Sequence, residues 1–520
     1  MTLIRTVFLA VVTSGLALPL AAQPAAPRPL SLEEALRLAR PASEAVALAR
    51  VGVEKARGQA MAARSDLLPQ IRGSLGYTRQ LKSQFDNLFG QAPVDTTTPP
   101  APTSCDAFVA DPTRPIDERL AELEQAVNCA TTVNPFAGFS RLPFGRKNTF
   151  TLGLAGSQTL FDGGRTFGQI KAANAGRASA RIALTSAEAQ LVLDVVEAYY
   201  GAVLADRLVA IAEATLAQSD TTLVQTRLRR EVGTAPEFDL LRATVARDNQ
   251  RPVVIQARTQ RDLAYLRLRQ LLNLPMETPL SLSTTLADTS FAAVPTLASL
   301  ASASPDTVPE RRATVRQAAE AVTAQEGLNR VAQSQRLPTV SLTSQYSRLA
   351  YPSRGLPGWN EFVTDWSLAV GVSVPIFTGG RLKGSRIEAK AGLDEARLRL
   401  QQAAEAAQLD ARNSLAQLDA AVANWQASEG TSAQATRAYQ IADLRFREGV
   451  STQTELLDAR IALQQAEVNR AQAARDLQIA RVRVALLSEL PLGGAPSAPT
   501  RTTPAARGGA PATTGGPTFP

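Results

Sequence analysis

Val374-Pro-Ile-Phe-Thr-Gly-Gly-Arg381 closes an alternating stretch, turns on two glycines and opens a very long helical pattern. The same event occurs earlier, at Gln158-Thr-Leu-Phe-Asp-Gly-Gly-Arg165. Gly-Gly between two elements is ordinary turn chemistry, so the weight lies on the sequence downstream of each copy. From Arg165 a helical pattern runs without proline for about 67 residues to Glu231, and from Arg381 one of equal length runs to Arg447. At 1.5 Å per residue each predicts a helix of roughly 100 Å, far too long for the core of a small globule.

Three separated landmarks share one offset. Phe161 matches Phe377, Gly233 matches Gly449 and Leu240-Leu241 match Leu456-Leu457, each 216 positions apart. That is an internal duplication. Upstream, a helix over about 43–66 ends in Leu68-Pro69 and one over about 310–335 ends in Leu337-Pro338, with Gly58 and Gly327 equivalent. These pairs lie 269 apart because the first hairpin loop is longer.

The remaining segments fit this plan. Residues 1–22 read as a secretory signal: Arg5, an apolar run from Val7 to Leu20, then Ala21 and Ala22. The first repeat covers 23–273 and begins with a capping box, Ser31-Leu-Glu-Glu34, opening a short helix to Arg40-Pro41. Residues 84–148, rich in Pro and Thr, read as a large loop. Cys105 and Cys129, the chain's two cysteines, lie in it and in an exported protein most simply form a disulfide. Residues 274–309 read as a connector, 310–490 as the second repeat, and 491–520 as a disordered Pro/Gly/Ala/Thr tail. After each Gly-containing break, at Gly233-Thr234 and Gly449-Val450-Ser451, a further helix is expected, from about Glu237 to Leu272 and Gln453 to Glu489.

Four strands with one apolar face emerge. Phe150, Leu152 and Leu154 alternate with small or polar residues, and Trp366, Leu368, Val370, Val372 and Val374 do so most cleanly. Weaker alternation runs over Ile71–Tyr77 and Val340–Tyr346. Each strand is of the order of ten residues, the length a tilted membrane strand needs.

Composition narrows the function. The 520 residues include no histidine, removing the commonest general base and metal ligand. No catalytic site, cofactor or metal is expected. The net charge of +8 is spread among interleaved acids and bases, without the basic cluster of a nucleic-acid surface. No stretch beyond the apparent signal reaches the roughly 20 apolar residues of a membrane helix. Lipid otherwise accepts only closed barrels, and about eight strands are the working minimum. The four strands must then be pooled with those of other copies. Three copies would supply twelve strands, and four copies are also compatible with the sequence. Side by side, the long helices would make an α-helical tube coaxial with that barrel. The alternative is a soluble periplasmic structural or adaptor protein with its hairpins as a β-domain.

The ordered, duplicated set of Ser-Leu-Glu-Glu-Ala-Leu, Leu-Pro, Phe-x-Gly-Gly-Arg and a Gly break followed by Leu-Leu-x-Ala resembles the TolC-like outer-membrane efflux protein family, from Ser31 to about Leu490. The resemblance implies a mixed α and β membrane protein, a homotrimer with a twelve-stranded outer-membrane β-barrel in lipid and a long periplasmic α-helical barrel. It implies passive export through a tripartite system or type I secretion system, partnered by a periplasmic adaptor (membrane fusion) protein and an inner-membrane pump of RND or ABC type.

The strand-to-helix corners are then Phe161, Gly163, Gly164 and Arg165, and Phe377, Gly379, Gly380 and Arg381. The adaptor-docking tips are Gly233, Thr234, Gly449, Val450 and Ser451. The pore constriction falls on Glu455 and Asp458, with Asp239 at the repeat-equivalent of Glu455 and Arg242 at that of Asp458. Ser451 stands where some members carry a gating arginine. Local readings compete with these roles. Thr452-Gln-Thr-Glu455 and Thr234-Ala-Pro-Glu237 are themselves capping boxes, and Gly233 and Gly449 suit helix C-caps. Trp359 and Trp366 suit an interfacial aromatic belt.

Overall fold

The computed structural model describes residues 28–82, 105, 107–132, 147–286, 307–352 and 355–492. The expected signal at 1–22, the tail beyond 492 and much of the 84–148 and 274–309 segments lie outside these residues. The chain divides into two units. A helical unit takes in the described residues of Met1–Ala60, Lys171–Glu326 and Lys390–Pro520, and a sheet unit those of Met61–Ile170 and Gly327–Ala389. No described helix is long and apolar enough to cross a membrane.

The sheet unit is built by alternation. β2 (Gln70–Arg79), β3 (Asn148–Phe161), β5 (Thr339–Ala350) and β6 (Val363–Ser373) form one sheet in the order β2-β3-β5-β6, antiparallel throughout. The register carries the apolar residues onto one face. Leu75 opposes Leu152, Leu154 opposes Tyr346, Leu342 opposes Val370, and Tyr346 opposes Trp366. The other face carries Ser74 opposite Gly153, Gln345 opposite Ser367 and Ser347 opposite Asp365. No described element covers the apolar face. Leu75 is 81% exposed, Trp366 74% and Val370 63%. Tyr77 stacks on Phe150 at 4.7 Å, and Trp366 donates from Nε1 to Ser344 Oγ at 3.1 Å. Trp359 lies in a short 3-10 turn, Trp359–Glu361, with the Arg348 guanidinium 5.7 Å from its ring centroid.

The strands leave the sheet through the two Gly-Gly corners. Gly163 and Gly164 have φ of 66° and 85°, and Gly379 and Gly380 have 57° and 88°. Side chains rarely adopt this left-handed region. In both copies the arginine N–H donates to the carbonyl three residues back, Asp162 at 3.2 Å and Thr378 at 3.1 Å. Phe161 and Phe377 are both exposed. α4 (Arg165–Glu231) and α7 (Arg381–Arg447) start here, each 67 residues as expected.

The first corner is the tighter one. A Cβ on Gly163 would fall 2.7 Å from Leu337 Cβ, whereas one on Gly379 would meet open space. Nearby, a Cβ on Gly168 would lie 2.6 Å from the Gly327 carbonyl, so α4 and α6 (Ala313–Ser334) touch backbone to backbone. Asp162 is the carboxylate of this corner. It accepts from the Gly164 N–H at 2.9 Å, the Thr166 N–H at 2.7 Å and the Thr166 hydroxyl. Partial burial works to raise its pKa, but these bonds and the Arg165 N–H outweigh it and hold the carboxyl below the ordinary aspartate range.

The loop between β2 and β3 differs from the sequence expectation. It contains α3 (Ile116–Thr132), and the helix carries Cys129. Cys105 and Cys129 are disulfide-bonded, their Cα atoms 5.9 Å apart. The proline and threonine content of the whole segment hid a helix of ordinary composition.

The helical unit has its core around the middle of α4, where Val195, Val196, Tyr199, Tyr200 and Ala202 are buried. Packed there are β1 (Arg28–Leu30), α1 (Leu32–Ala42) and the ends of α5 (Glu237–Leu271) and α8 (Gln453–Ala485). Ser31 caps α1 as its sequence predicts, accepting the Glu34 N–H at 3.2 Å. α1 then extends through Pro41 to Ala42, and α2 (Glu44–Ser65) comes almost at once. The segment read as a plain connector supplies β4 (Leu280–Leu282), which pairs parallel with β1. Three-residue strands from distant segments leave no periodicity to read. Tyr199 fastens them: its hydroxyl donates to the Leu30 carbonyl at 2.8 Å and accepts from the Thr284 N–H at 3.2 Å. Arg312, almost fully buried, pairs with Asp410 of α7.

Farther along α4 a single narrow stripe is buried: Ala212, Thr215, Ser219, Leu223 and Thr226. Its hydroxyls donate within the helix, Thr215 to the Ile211 carbonyl, Ser219 to Thr215 and Thr226 to Thr222, each at 2.8 Å.

The corners carry two testable outcomes. Asp162 is lower in pKa folded than unfolded, so its stabilisation is complete above the unfolded value and is lost as pH falls through the folded one. Asp162→Ala should cost about 1 kcal/mol at neutral pH, as loss of a helix cap does. The difference in thermal midpoint from wild type should close below about pH 4. Gly379→Ala should cost about 1–2 kcal/mol of backbone strain, and Gly163→Ala more, because of Leu337; parallel denaturation curves would check the order.

Candidate functional site

The candidate site lies where the long helices end and the chain turns back. In both copies the turn is a Schellman cap. The Gly233 N–H donates to the Arg230 carbonyl at 2.9 Å and the Thr234 N–H to the Arg229 carbonyl at 2.8 Å. At the second turn the Gly449 N–H donates to Phe446 at 3.1 Å and the Val450 N–H to Arg445 at 2.9 Å. Gly233 has φ of 76° and Gly449 of 75°, and a Cβ on either would meet nothing. Conformation, not space, demands glycine here.

Beyond the glycines the two tips differ. Thr452 caps α8, its hydroxyl accepting the Glu455 N–H at 3.3 Å. The matching box at Thr234 does not form. The N-cap of α5 is Pro236, which makes no side-chain cap bond, and the Thr234 hydroxyl donates backward to the Arg229 carbonyl at 3.0 Å. The Schellman turn draws Thr234 into the end of α4, which leaves it unable to cap α5. Glu237 pairs with Arg230 at 3.3 Å. Glu237 and Asp239 in the first turn of α5 complement its helix dipole.

Glu455 and Asp458 lie three residues apart, on one side of α8. Glu455 and Asp458 are both exposed, and Asp458 makes no side-chain bond to a described residue. Asp239 is half-buried, with its N–H on the Pro236 carbonyl at 3.2 Å. Arg242 does not approach Asp458. It donates from Nη1 to the Thr454 hydroxyl, which joins the start of α5 to the start of α8. Val450 is exposed, and the Ser451 hydroxyl donates to the Thr452 carbonyl at 3.3 Å.

Three arginines outside the sequence-predicted set organise this end. Arg229 donates from Nη2 to the Phe446 and Arg447 carbonyls, at 2.6 and 3.0 Å, and its guanidinium lies 4.5 Å over the Phe446 ring. A cation from the first repeat thus caps the negative end of the second repeat's long helix. The signal was present: Arg229 is the repeat-equivalent of Arg445, which is exposed. Deeper in, buried Arg460 donates from Nη1 to Ser219 Oγ at 2.7 Å, and burial pushes its guanidinium pKa down. Arg247 bridges Asp220 at 2.8 Å and Asp248 at 2.7 Å.

Arg229→Ala removes two charge-assisted bonds, of about 1.5–3 kcal/mol. Hydrogen exchange at the Gly449 and Val450 amides should accelerate while the global unfolding midpoint moves less. Arg229→Lys should recover only part of the protection, because an ammonium cannot reproduce the planar fork.

The chain thus combines a duplicated pair of long helices, a four-stranded sheet with one uncovered apolar face, and paired glycine-capped tips. Its likeness to known proteins is broad. The chain is 26% identical over 336 residues to the outer membrane efflux protein BepC of Brucella suis, covering 64% of this chain and 71% of that protein. The fold matches a membrane protein from Pseudomonas aeruginosa with a TM-score of 0.66 and 19% identity, over 88% of this chain and 93% of that one. It matches the Campylobacter jejuni CmeC outer membrane channel equally, with a TM-score of 0.66 and 18% identity over 89% and 87% of the two chains. The outer membrane efflux protein family profile matches residues 140–274 and 305–488, more than half of the sequence. An outer-membrane assignment leaves no place for the soluble periplasmic alternative. The chain belongs to the outer membrane efflux protein family, has the fold of the TolC-like channels, and resides in the cell outer membrane.

Proposed function

We propose that the chain is a homotrimeric exit duct of a tripartite efflux or type I secretion system, passing small molecules or proteins outward without catalysing a reaction. The observation that carries this reading is the sheet, with its exposed apolar face and its unpaired edges on β2 and β6. In hydrocarbon an unpaired edge leaves backbone donors and acceptors at several kcal/mol each. Four strands cannot curl shut. Joining β6 of one copy to β2 of the next makes a twelve-stranded barrel with the apolar face toward lipid and the Ser/Thr/Gln face toward water.

The long helices of three copies then form a periplasmic tunnel, and the tips at Gly233–Thr234 and Gly449–Ser451 form its entrance. There they meet the hairpins of a periplasmic adaptor protein, itself coupled to an inner-membrane pump of RND or ABC type. Glu455 and Asp458, with Asp239, give rings of carboxylates at the constriction in triplicate, which favour cations. Arg242, held by Thr454, positions α5 against α8 at this narrowing. The likeness of the chain to efflux proteins supports the direction of transport.

Detergent extraction of the outer membrane, with mass determination and bilayer recording of the particle, tests this. A trimer with cation-selective conductance is expected, and Glu455→Gln/Asp458→Asn should reduce the cation preference. A monomer, or a trimer that carries no current even after substitutions that open the tips, would overturn the duct.

A further inference from the structure

α3, the helix between β2 and β3, carries an apolar stripe that the described residues leave exposed. Ile116, Leu120, Leu123, Val127 and Ala130 recur at spacings of 4, 3, 4 and 3, the a/d seam of a coiled coil. Ile116 is 80% exposed, Leu120 57%, Leu123 39% and Val127 52%. We infer that the α3 helices of three copies pack together as a parallel three-helix seam. This rests on the trimeric duct.

Charge identifies the partner as a second copy in parallel. With Leu120 and Val127 at a, Arg119 occupies g and Glu124 the following e, the two positions that meet between neighbouring parallel helices. Each interface of a closed ring then gains one Arg119–Glu124 pair. An antiparallel arrangement would instead set e against e, bringing Glu124 and Asp117 toward like charges. Cyclic symmetry also makes equivalent helices around one axis parallel. Cys129 falls at c, outside the seam, so its disulfide to Cys105 restrains the helix without blocking the contact. Arg114 bonds Glu122, also at c, and leaves the seam free.

A 17-residue helix is a weak coiled coil in isolation. Tethering to a shared barrel supplies an effective concentration of about the millimolar range, which a free peptide lacks. β2 ends at Arg79 and β3 begins at Asn148, at the end of the sheet opposite the Gly-Gly corners. The seam would therefore gather beyond the end of the barrel remote from those corners.

The test places the photo-crosslinker p-benzoylphenylalanine at Leu123, a d position, or at Gln125, an outward f position, in the full chain. The particle is extracted in detergent, its mass determined and the product mapped after irradiation. From Leu123, covalent dimers and trimers joined within Ile116–Ala130 of a second copy are expected, with little from Gln125. With three equivalent pairs at stake, R119E or E124R alone should lower the Leu123 yield about five- to tenfold, and the double reversal should restore it. A trimeric particle whose Leu123 crosslinks reach only its own strands, lipid or detergent overturns the seam and leaves the duct standing. A monomeric particle overturns both.

Discussion

Everything in this molecule turns on backbone hydrogen bonds that one chain cannot complete. β2 and β6 each present an edge of unpaired N–H and C=O groups, beside an apolar face with no covering layer among the described residues. A water-soluble protein would roll such a sheet onto a helix or a second sheet. Here the register instead keeps the apolar side chains on one face across all four strands. The sheet is consistent in design but incomplete in number. The same incompleteness recurs in α7, whose fully buried residues form a narrow stripe along a helix that is mostly exposed. The proposed association of further copies would complete both features.

Duplication supplies the regularity and its breaches supply the individuality. The corners agree to within about ten degrees at their glycines, and the tips share the same Schellman bonds. Yet Asp162 braces one corner where Thr378 stands in the other, and Thr452 caps one return helix where Pro236 starts the other without a side-chain bond. Arg229 reaches across to the second repeat, whereas its counterpart Arg445 lies on the surface. A pseudo-repeat in one chain thus presents two different tips, and a trimer would alternate them around its entrance.

Much of this was legible in residue order. Strand alternation, proline-free runs and the Gly-Gly corners encode local preferences, so they locate the strands and place the two long helices to the residue. The capping box at Ser31 and the Cys105–Cys129 pair were readable for the same reason. The features that escaped depend on tertiary partners. β1 and β4 are too short to show a period and exist through Tyr199. α3 was masked by the prolines and threonines around it. Thr234 carries a capping sequence, but the Schellman turn before it claims its hydroxyl. The tip carboxylates could be named from the resemblance, whereas the Arg229 clamp needed three-dimensional proximity to be seen.

The buried stripe of α4 at Thr215, Ser219 and Thr226 has a mechanical consequence. Because each hydroxyl donates to a carbonyl of its own helix, the stripe asks for few bonds from the neighbouring helix α8. Small side chains also make shallow ridges. Such a face resists sliding weakly, like a bearing surface, and the Arg460 bond to Ser219 is the one described polar pin that crosses it. The tips are tied across different pairs, α4 to α7 through Arg229 and α5 to α8 through Arg242. Along this stripe α4 can therefore turn against α8 at the cost of few polar bonds.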